Sequence, residues 1–300
     1  MPAIVVNDLY LGVGTVDMKG KHVVITGPTA GIGRSAALNL AGRGAELTLL
    51  CRNASKGAEL QREIEDAGGA RANMVLMDMA ELGSVKKAAA EVLAMARPVD
   101  VLLNNAGVVN TVRCETLDGF EETLAVNHFA PFLLTGLLLP AIQQANSARI
   151  VTVASDAHAF VKSMGFEDMH AQKNYKTFRE YGRSKLANIL FNRELANRLR
   201  GQEITVNCLH PGAVATSLAS QNKGLVSRIV PLLLKPFFRS PDKGAETSIY
   251  LCTNDEVSKV SGEYFSNCKI TLAKPWARDD DAAKRLWSYT QECIGFHYPV

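Results

Sequence analysis

The sequence has no continuous apolar run of the length that crosses a bilayer. Its most apolar stretch, residues 129–142, falls short of the ~20 residues a span requires and carries Pro131 and Pro140, so a buried helix is expected there. The first residues set Asn7, Asp8 and Asp17 among short apolar pieces and lack the basic start and apolar centre of a secretory signal. No C-x-x-C pair occurs: the six cysteines, Cys51, Cys114, Cys208, Cys252, Cys268 and Cys293, are scattered. That spacing argues against a zinc site or a disulfide framework and suits a reducing, cytoplasmic setting, with no metal expected. Charge of one sign is also scarce, with 33 basic against 30 acidic residues and no Lys/Arg run, so nucleic acid is not an expected partner. Repeats, low-complexity tracts and Gly/Ser linkers are missing as well. With 47% hydrophobic residues, the 300-residue chain suits one core: a single domain over residues 21–300, behind an extension of residues 1–20.

What is present is a rhythm. Val/Ile/Leu-rich runs at residues 22–26, 46–50, 72–77, 99–104, 149–154 and 205–209 alternate with longer helical patterns. Runs apolar at nearly every position suit a parallel sheet covered on both faces, since right-handed crossovers place helices against each side. A Rossmann-type doubly wound α/β fold of about seven strands is expected. Residues 181–200 carry Leu186, Ile189, Leu190 and Leu199 at helical spacing, with Gly201 as a stop.

The first run leads directly into Thr26-Gly27-Pro28-Thr29-Ala30-Gly31-Ile32-Gly33 and an apolar helix opened by Arg34. Glycines let a backbone turn tightly and approach a pyrophosphate, and a helix start adds free N–H groups and a positive dipole end. A glycine-rich turn alone is weak evidence; its place between the first strand and first helix makes it a phosphate cradle. An NAD-binding site would place a carboxylate at the end of the second strand to hold the ribose hydroxyl. Cys51, Arg52 and Asn53 stand there instead. With Arg34 and Arg52 able to pair a 2′-phosphate, NADP(H) is the expected cofactor. The N-x-S triplet at Asn53 falls in this pocket and is read as chance.

Tyr181 and Lys185 form a Y-x-x-x-K pair, which a helix puts on one face. An ammonium ~4 Å from a phenol, at an effective dielectric near ~20, is worth about 4 kcal/mol, enough to draw a tyrosine from pH ~10 toward neutrality although desolvation opposes it. Tyr181 is therefore expected to act as proton donor or acceptor. The same spacing also occurs in solvated surface pairs, so its companions matter.

Taken together, residues 21–295 resemble the short-chain dehydrogenase/reductase family, and within it the retinol-dehydrogenase-like branch. The resemblance rests on the glycine turn, on Asp78 in Asp78-Met79-Ala80-Glu81-Leu82, on Asn104-Asn105-Ala106-Gly107, on Val126-Asn127-His128 and on Pro211-Gly212. It implies a tetrad of Asn127, Ser155, Tyr181 and Lys185. Ser155 would hold the substrate oxygen, Lys185 would bind the nicotinamide ribose and Asn127 would place a water. Cofactor contacts implied alongside Tyr181 and Lys185 are Gly27, Thr29, Gly31, Ile32, Gly33, Arg34, Arg52, Asp78, Met79, Asn105, Ala106, Gly107, Pro211, Gly212, Val214 and Thr216. The long interval at residues 165–180, the run at 261–265 and a helix over 282–295 resemble the same branch. No role is implied for His128, His158 or His210, which are expected to be structural.

An apolar stretch within residues 224–243, including Leu232, Leu233, Leu234, Phe237 and Phe238, lies where the resemblance places a substrate lid. An apolar aldehyde or ketone, or the matching alcohol, is the expected substrate, with peripheral membrane contact as the other use of these side chains. Residues 129–142 are apolar almost all round, which asks for a second covering surface; a second subunit, as a homo-oligomer, is the expectation. Two other classes compete. A sugar-nucleotide epimerase would show a shorter glycine turn and a larger C-terminal domain, and a non-catalytic NADP-binding regulator would not need all four tetrad residues.

Overall fold

The computed structural model describes residues 16–213 and 239–300. Eight strands form one sheet in the order β3-β2-β1-β4-β5-β6-β7-β8: β1 (His22–Thr26), β2 (Glu46–Cys51), β3 (Asn73–Leu76), β4 (Val101–Asn104), β5 (Ala148–Val153), β6 (Ile204–His210), β7 (Tyr264–Ser266) and β8 (Lys269–Ile270). The first seven run parallel, and only β8 is antiparallel, a two-residue return from β7. This is the doubly wound α/β architecture the alternating runs predict, with one short edge strand more than the sequence pattern announces. The first six strands fall within a residue or two of the apolar runs, because a strand covered on both faces must be apolar at successive positions.

Helices lie on both faces. α1 (Gly31–Gly42), α2 (Ala54–Asp66) and α6 (Pro241–Thr253) close one core with Leu40, Ile64 and Ile249. α3 (Leu82–Leu93), α4 (Glu122–Ile142), α5 (Thr177–Arg198) and α7 (Asp280–Ile294) close the other with Val85, Phe132, Leu190 and Trp287. Between β3 and β4 the chain reverses direction across the sheet, leaving a crevice at the carboxyl ends of β1 and β4, where such folds bind ligands.

The helix expected at 129–142 is longer. It begins at Glu122 and passes through a π-turn at Ala125–Phe129. By length and composition Glu122–Ile142 is long and apolar enough to cross a membrane, unlike the shorter run at 129–142, and 89% of its most apolar stretch is buried inside the protein. Its second covering surface belongs to the same chain. Phe132 packs edge-on against Trp287 of α7 and Tyr298 beyond it, and the Tyr298 hydroxyl donates to the Phe132 carbonyl at 2.6 Å. His128 Nε2 meets Thr290 Oγ1 at 2.8 Å. The C-terminal segment thus covers the face for which the sequence reading invoked a second subunit.

Candidate active site

Glycines shape the floor of the crevice. Gly27 takes φ +63°, and a Cβ on Gly33 would lie 2.3 Å from the Gly27 carbonyl oxygen and 2.4 Å from Asn105 Nδ2. Only glycine lets α1 start this close to the turn. Thr26 Oγ1 accepts the N–H groups of Asn105 and Ala106, both at 3.0 Å, while Asn105 Nδ2 donates to the carbonyls of Thr26 and Gly27. The end of β4 and the first turn are therefore held together, and the start of α1 borders the same crevice.

A single cleft runs from this cradle to Tyr181 and Lys185. Its walls include Gly27, Thr29, Gly31, Ile32, Gly33, Arg52, Asp78, Met79, Asn105, Ala106, Gly107 and Pro211. Lys56, Glu122 and Val153 line it too, none of which the sequence singles out, as does Val126 of the Val126-Asn127-His128 motif. Lys56 was findable: Asn53 caps α2 by accepting the Lys56 N–H at 2.9 Å, which places Lys56 on the first turn beside Arg52. Arg52 Nη1 lies 3.7 Å from Asp78 Oδ2. Arg34, expected in the same pocket, is instead paired with Glu63 at 2.6 Å and does not line the cleft. Val214 and Thr216 lie outside the described residues, as do residues 224–238 of the expected lid. Residues 241–243, also counted into that lid, open α6 instead, because Ser240 caps the helix and Pro241 suits its first turn.

The four expected catalytic residues converge. Lys185 is 2% exposed, and its Nζ donates to the Val153 carbonyl at 2.9 Å and lies 5.6 Å from the centre of the Tyr181 ring. Ser155 stands close enough to the Tyr181 hydroxyl to lower its pKa. Asn127 sits on the π-turn, where its Oδ1 accepts the Val108 N–H at 2.8 Å and its Nδ2 donates to the Val108 carbonyl and to Ser184 Oγ. A Cβ on Gly107 would stand 3.3 Å from Asn127 Oδ1 and 3.4 Å from Lys185 Nζ, so the two side chains border one small space. Arg183, between Tyr181 and Lys185, is buried and donates to the carbonyls of Met164, Gly165 and Asp168 and to the Glu180 carboxylate. It gathers the long 165–180 interval around the start of α5.

One expectation fails. Burial pushes the Tyr181 phenol up to about 12, against a smaller lowering by its bond from Ser155. Burial also draws the Lys185 ammonium down to about 8. The i, i+4 spacing does put both side chains on one face, but Nζ is committed to the Val153 carbonyl and the dry surroundings disfavour both charges. The phenol is not drawn toward neutrality by the lysine alone. His128, wholly buried, is held down to about 3 and remains neutral.

Comparison with known proteins gives the chain a family. The short chain dehydrogenase family model matches residues 21–224. Mouse Retinol dehydrogenase 14 is 40% identical over 93% of this chain and 87% of its own, and mouse Retinol dehydrogenase 12 is 38% identical over 94% and 89%. Among solved structures, an uncharacterized protein from Mycobacterium paratuberculosis superposes with a TM-score of 0.78 at 28% identity, covering 95% of this chain and 97% of that one. One from Beutenbergia cavernae that holds NADP at low occupancy gives 0.67 at 29% identity, covering 84% and 96%. The chain belongs to the short-chain dehydrogenase family of oxidoreductases and has retinol dehydrogenases among its relatives.

Proposed function

We propose that the protein is an NADP(H)-dependent oxidoreductase that moves a hydride between the nicotinamide and an apolar aldehyde or ketone, or the matching alcohol. The observation that carries the cofactor choice is the tip of β2. No carboxylate stands at Cys51-Arg52-Asn53, and the cleft there is walled by Arg52 and Lys56, two cations suited to a 2′-phosphate. Arg34 joins them only by leaving Glu63. The cradle closed to any Cβ at Gly33 fits a pyrophosphate held by backbone N–H groups.

When bound, the nicotinamide ring supplies or receives the hydride. Tyr181 hands its proton to the substrate oxygen in reduction and takes it back in oxidation, while Ser155, beside the phenol, holds that oxygen. Lys185, fixed by the Val153 carbonyl, keeps a positive charge beside the phenol and offers a donor to the ribose. Because burial keeps Tyr181 protonated at neutral pH, the resting site is prepared for carbonyl reduction.

Two exposed rings support an apolar substrate. Phe160 follows Ser155 on its turn and Phe178 precedes Tyr181 on α5; they are 62% and 71% exposed and meet edge to face at 6.3 Å. Neither ring lines the cleft, but large rings left in water on the segments that carry Ser155 and Tyr181 suit an apolar reactant. Retinol, in the names of the relatives, is of that class. Fluorescence titration should show NADPH binding at least about tenfold tighter than NADH, the loss of one charge-assisted pair. Equal affinities would overturn the cofactor choice, and equal efficiency on short polar and long apolar aldehydes would overturn the substrate class.

A further inference from the structure

The peptide group joining Ser155 to Asp156 is gripped from both ends by histidines. Its carbonyl accepts His158 Nδ1–H at 2.8 Å, alongside the His158 backbone N–H at 3.2 Å. Its N–H donates to His210 Nδ1 at 3.2 Å. These partners settle the proton on each ring. A carbonyl only accepts, so His158 carries its proton on Nδ1 and leaves Nε2 to accept the Lys274 N–H at 3.3 Å. An N–H only donates, so His210 leaves Nδ1 bare and carries its proton on Nε2, which faces Asp156 Oδ2 at 3.3 Å.

We propose that His158 and His210 are positioning residues that clamp the Ser155–Asp156 peptide between two neutral imidazoles of opposite tautomer, and that protonating either ring opens the clamp. The inference rests on the reading of Ser155 as the group that holds the substrate oxygen. Both rings are fully subscribed when neutral. A proton added to His158 Nε2 would confront the Lys274 N–H, and one added to His210 Nδ1 would confront the Asp156 N–H; each replaces a hydrogen bond by two opposed donors.

The clamp reaches far through the fold. Asp156 Oδ1 accepts the Tyr264 hydroxyl at 2.7 Å, and the His158 carbonyl accepts Trp276 Nε1–H at 3.1 Å, so β5, β6, β7 and the segment leading to α7 meet at this one peptide. His210 immediately precedes Pro211, which lines the cleft. Among the described residues, the charged and titratable groups facing His158 are Asp156, His210, Lys274 and Tyr264, and those facing His210 are Asp156, Arg239 and His158. Burial lowers both imidazoles below the ordinary histidine value, Lys274 adding to this at His158 and Arg239 with His158 adding to it at His210, while Asp156 opposes at each. The clamp is therefore closed at neutral pH and fails on the acid side.

Imidazole nitrogen chemical shifts of the histidine-labelled full chain read the tautomers without turnover, with His158→Asn and His210→Asn assigning the signals. Protonated Nδ1 at His158 and protonated Nε2 at His210 are expected; the reverse at either ring overturns the clamp. Kinetics test its consequence. Alanine at either position should lower kcat by about tenfold or more, a misplacement of Ser155 by a fraction of an ångström, with NADPH affinity held within about twofold. Asparagine, which keeps a donor or acceptor near the Nδ1 position but does not titrate, should restore most of that rate. The His158→Asn/His210→Asn double variant should lose the acid limb of the kcat/KM profile; an unchanged limb, or alanine variants with undiminished kcat, overturns the proposal. A chain that binds NADPH, shows the expected tautomers and reduces no carbonyl would refute the proposed reaction instead, and with it the role assigned to the clamp.

Discussion

Lys185 should be a residue that the fold would be more stable without. Burial draws its ammonium from an ordinary 10.5 to about 8, which at 1.36 kcal/mol per pKa unit corresponds to about 3 kcal/mol working against the folded state at neutral pH. Replacing it with methionine, similar in length and apolar, removes that cost. The substitution also takes a donor from the Val153 carbonyl, an offset of about 1–2 kcal/mol. The net gain is about 1–2 kcal/mol, or a Tm rise of roughly 2–4 °C for a chain of this size. The sign with pH follows from the lowered pKa. Below pH 8 the lysine is charged in both states and the cost is complete; between pH 8 and 10.5 only the unfolded chain holds the proton, so wild-type stability rises until the cost is gone. Calorimetry on Lys185→Met and wild type at pH 7 and near pH 10 checks this. The variant should melt higher at pH 7 and lose that advantage at the alkaline pH, while carbonyl reduction falls by orders of magnitude. A variant that melts lower at neutral pH, or a difference that does not change with pH, would refute the assignment of a desolvated ammonium.

Other perturbations have expected outcomes. Tyr181→Phe should abolish NADPH-linked turnover and leave NADPH affinity within about twofold, since it removes only the proton donor; substantial residual activity in stopped-flow assays would refute that role. Gly33→Ala forces a methyl to within 2.3 Å of the Gly27 carbonyl oxygen, and titration should show cofactor affinity reduced by at least about tenfold. Gly136→Ala drives a Cβ to 2.3 Å from Phe296 and 2.8 Å from Tyr298, so the C-terminal segment must shift and Tm should fall by a few degrees, about 1–2 kcal/mol, with the cofactor Kd unchanged.

The sheet was legible because strands buried on both faces leave one strong mark, an apolar run, and the glycine turn was legible because only glycine clears the Asn105 and Gly27 atoms beside Gly33. The i, i+4 spacing likewise announced that Tyr181 and Lys185 share a face. Less local facts left no such mark. Periodicity began α4 too late, since Asn127 and His128 interrupt the apolar pattern where the helix widens into a π-turn to seat Asn127 against Val108. Arg34 looked like a phosphate ligand until Glu63, two turns along α2, claimed it. The direction of the Tyr181 shift is set by burial, which the i, i+4 spacing does not reveal, and the Val153 carbonyl that holds Nζ lies on a strand 32 residues away in sequence.

Burial at the centre of this site disfavours both the phenolate of Tyr181 and the ammonium of Lys185, so the pair is stable with its protons distributed for reduction and reluctant to separate charge. The isolated pair therefore supplies a proton at pH 7 far more readily than it removes one. Tyr181 becomes a competent base only when further positive charge is brought close to its oxygen. Proton transfer is in this way tied to what occupies the cleft, and α5 has reason to bury Lys185 despite the cost. An exposed lysine would hold its proton more readily but would be screened by water from the phenol, whereas the buried one keeps its ammonium 5.6 Å from the centre of the Tyr181 ring.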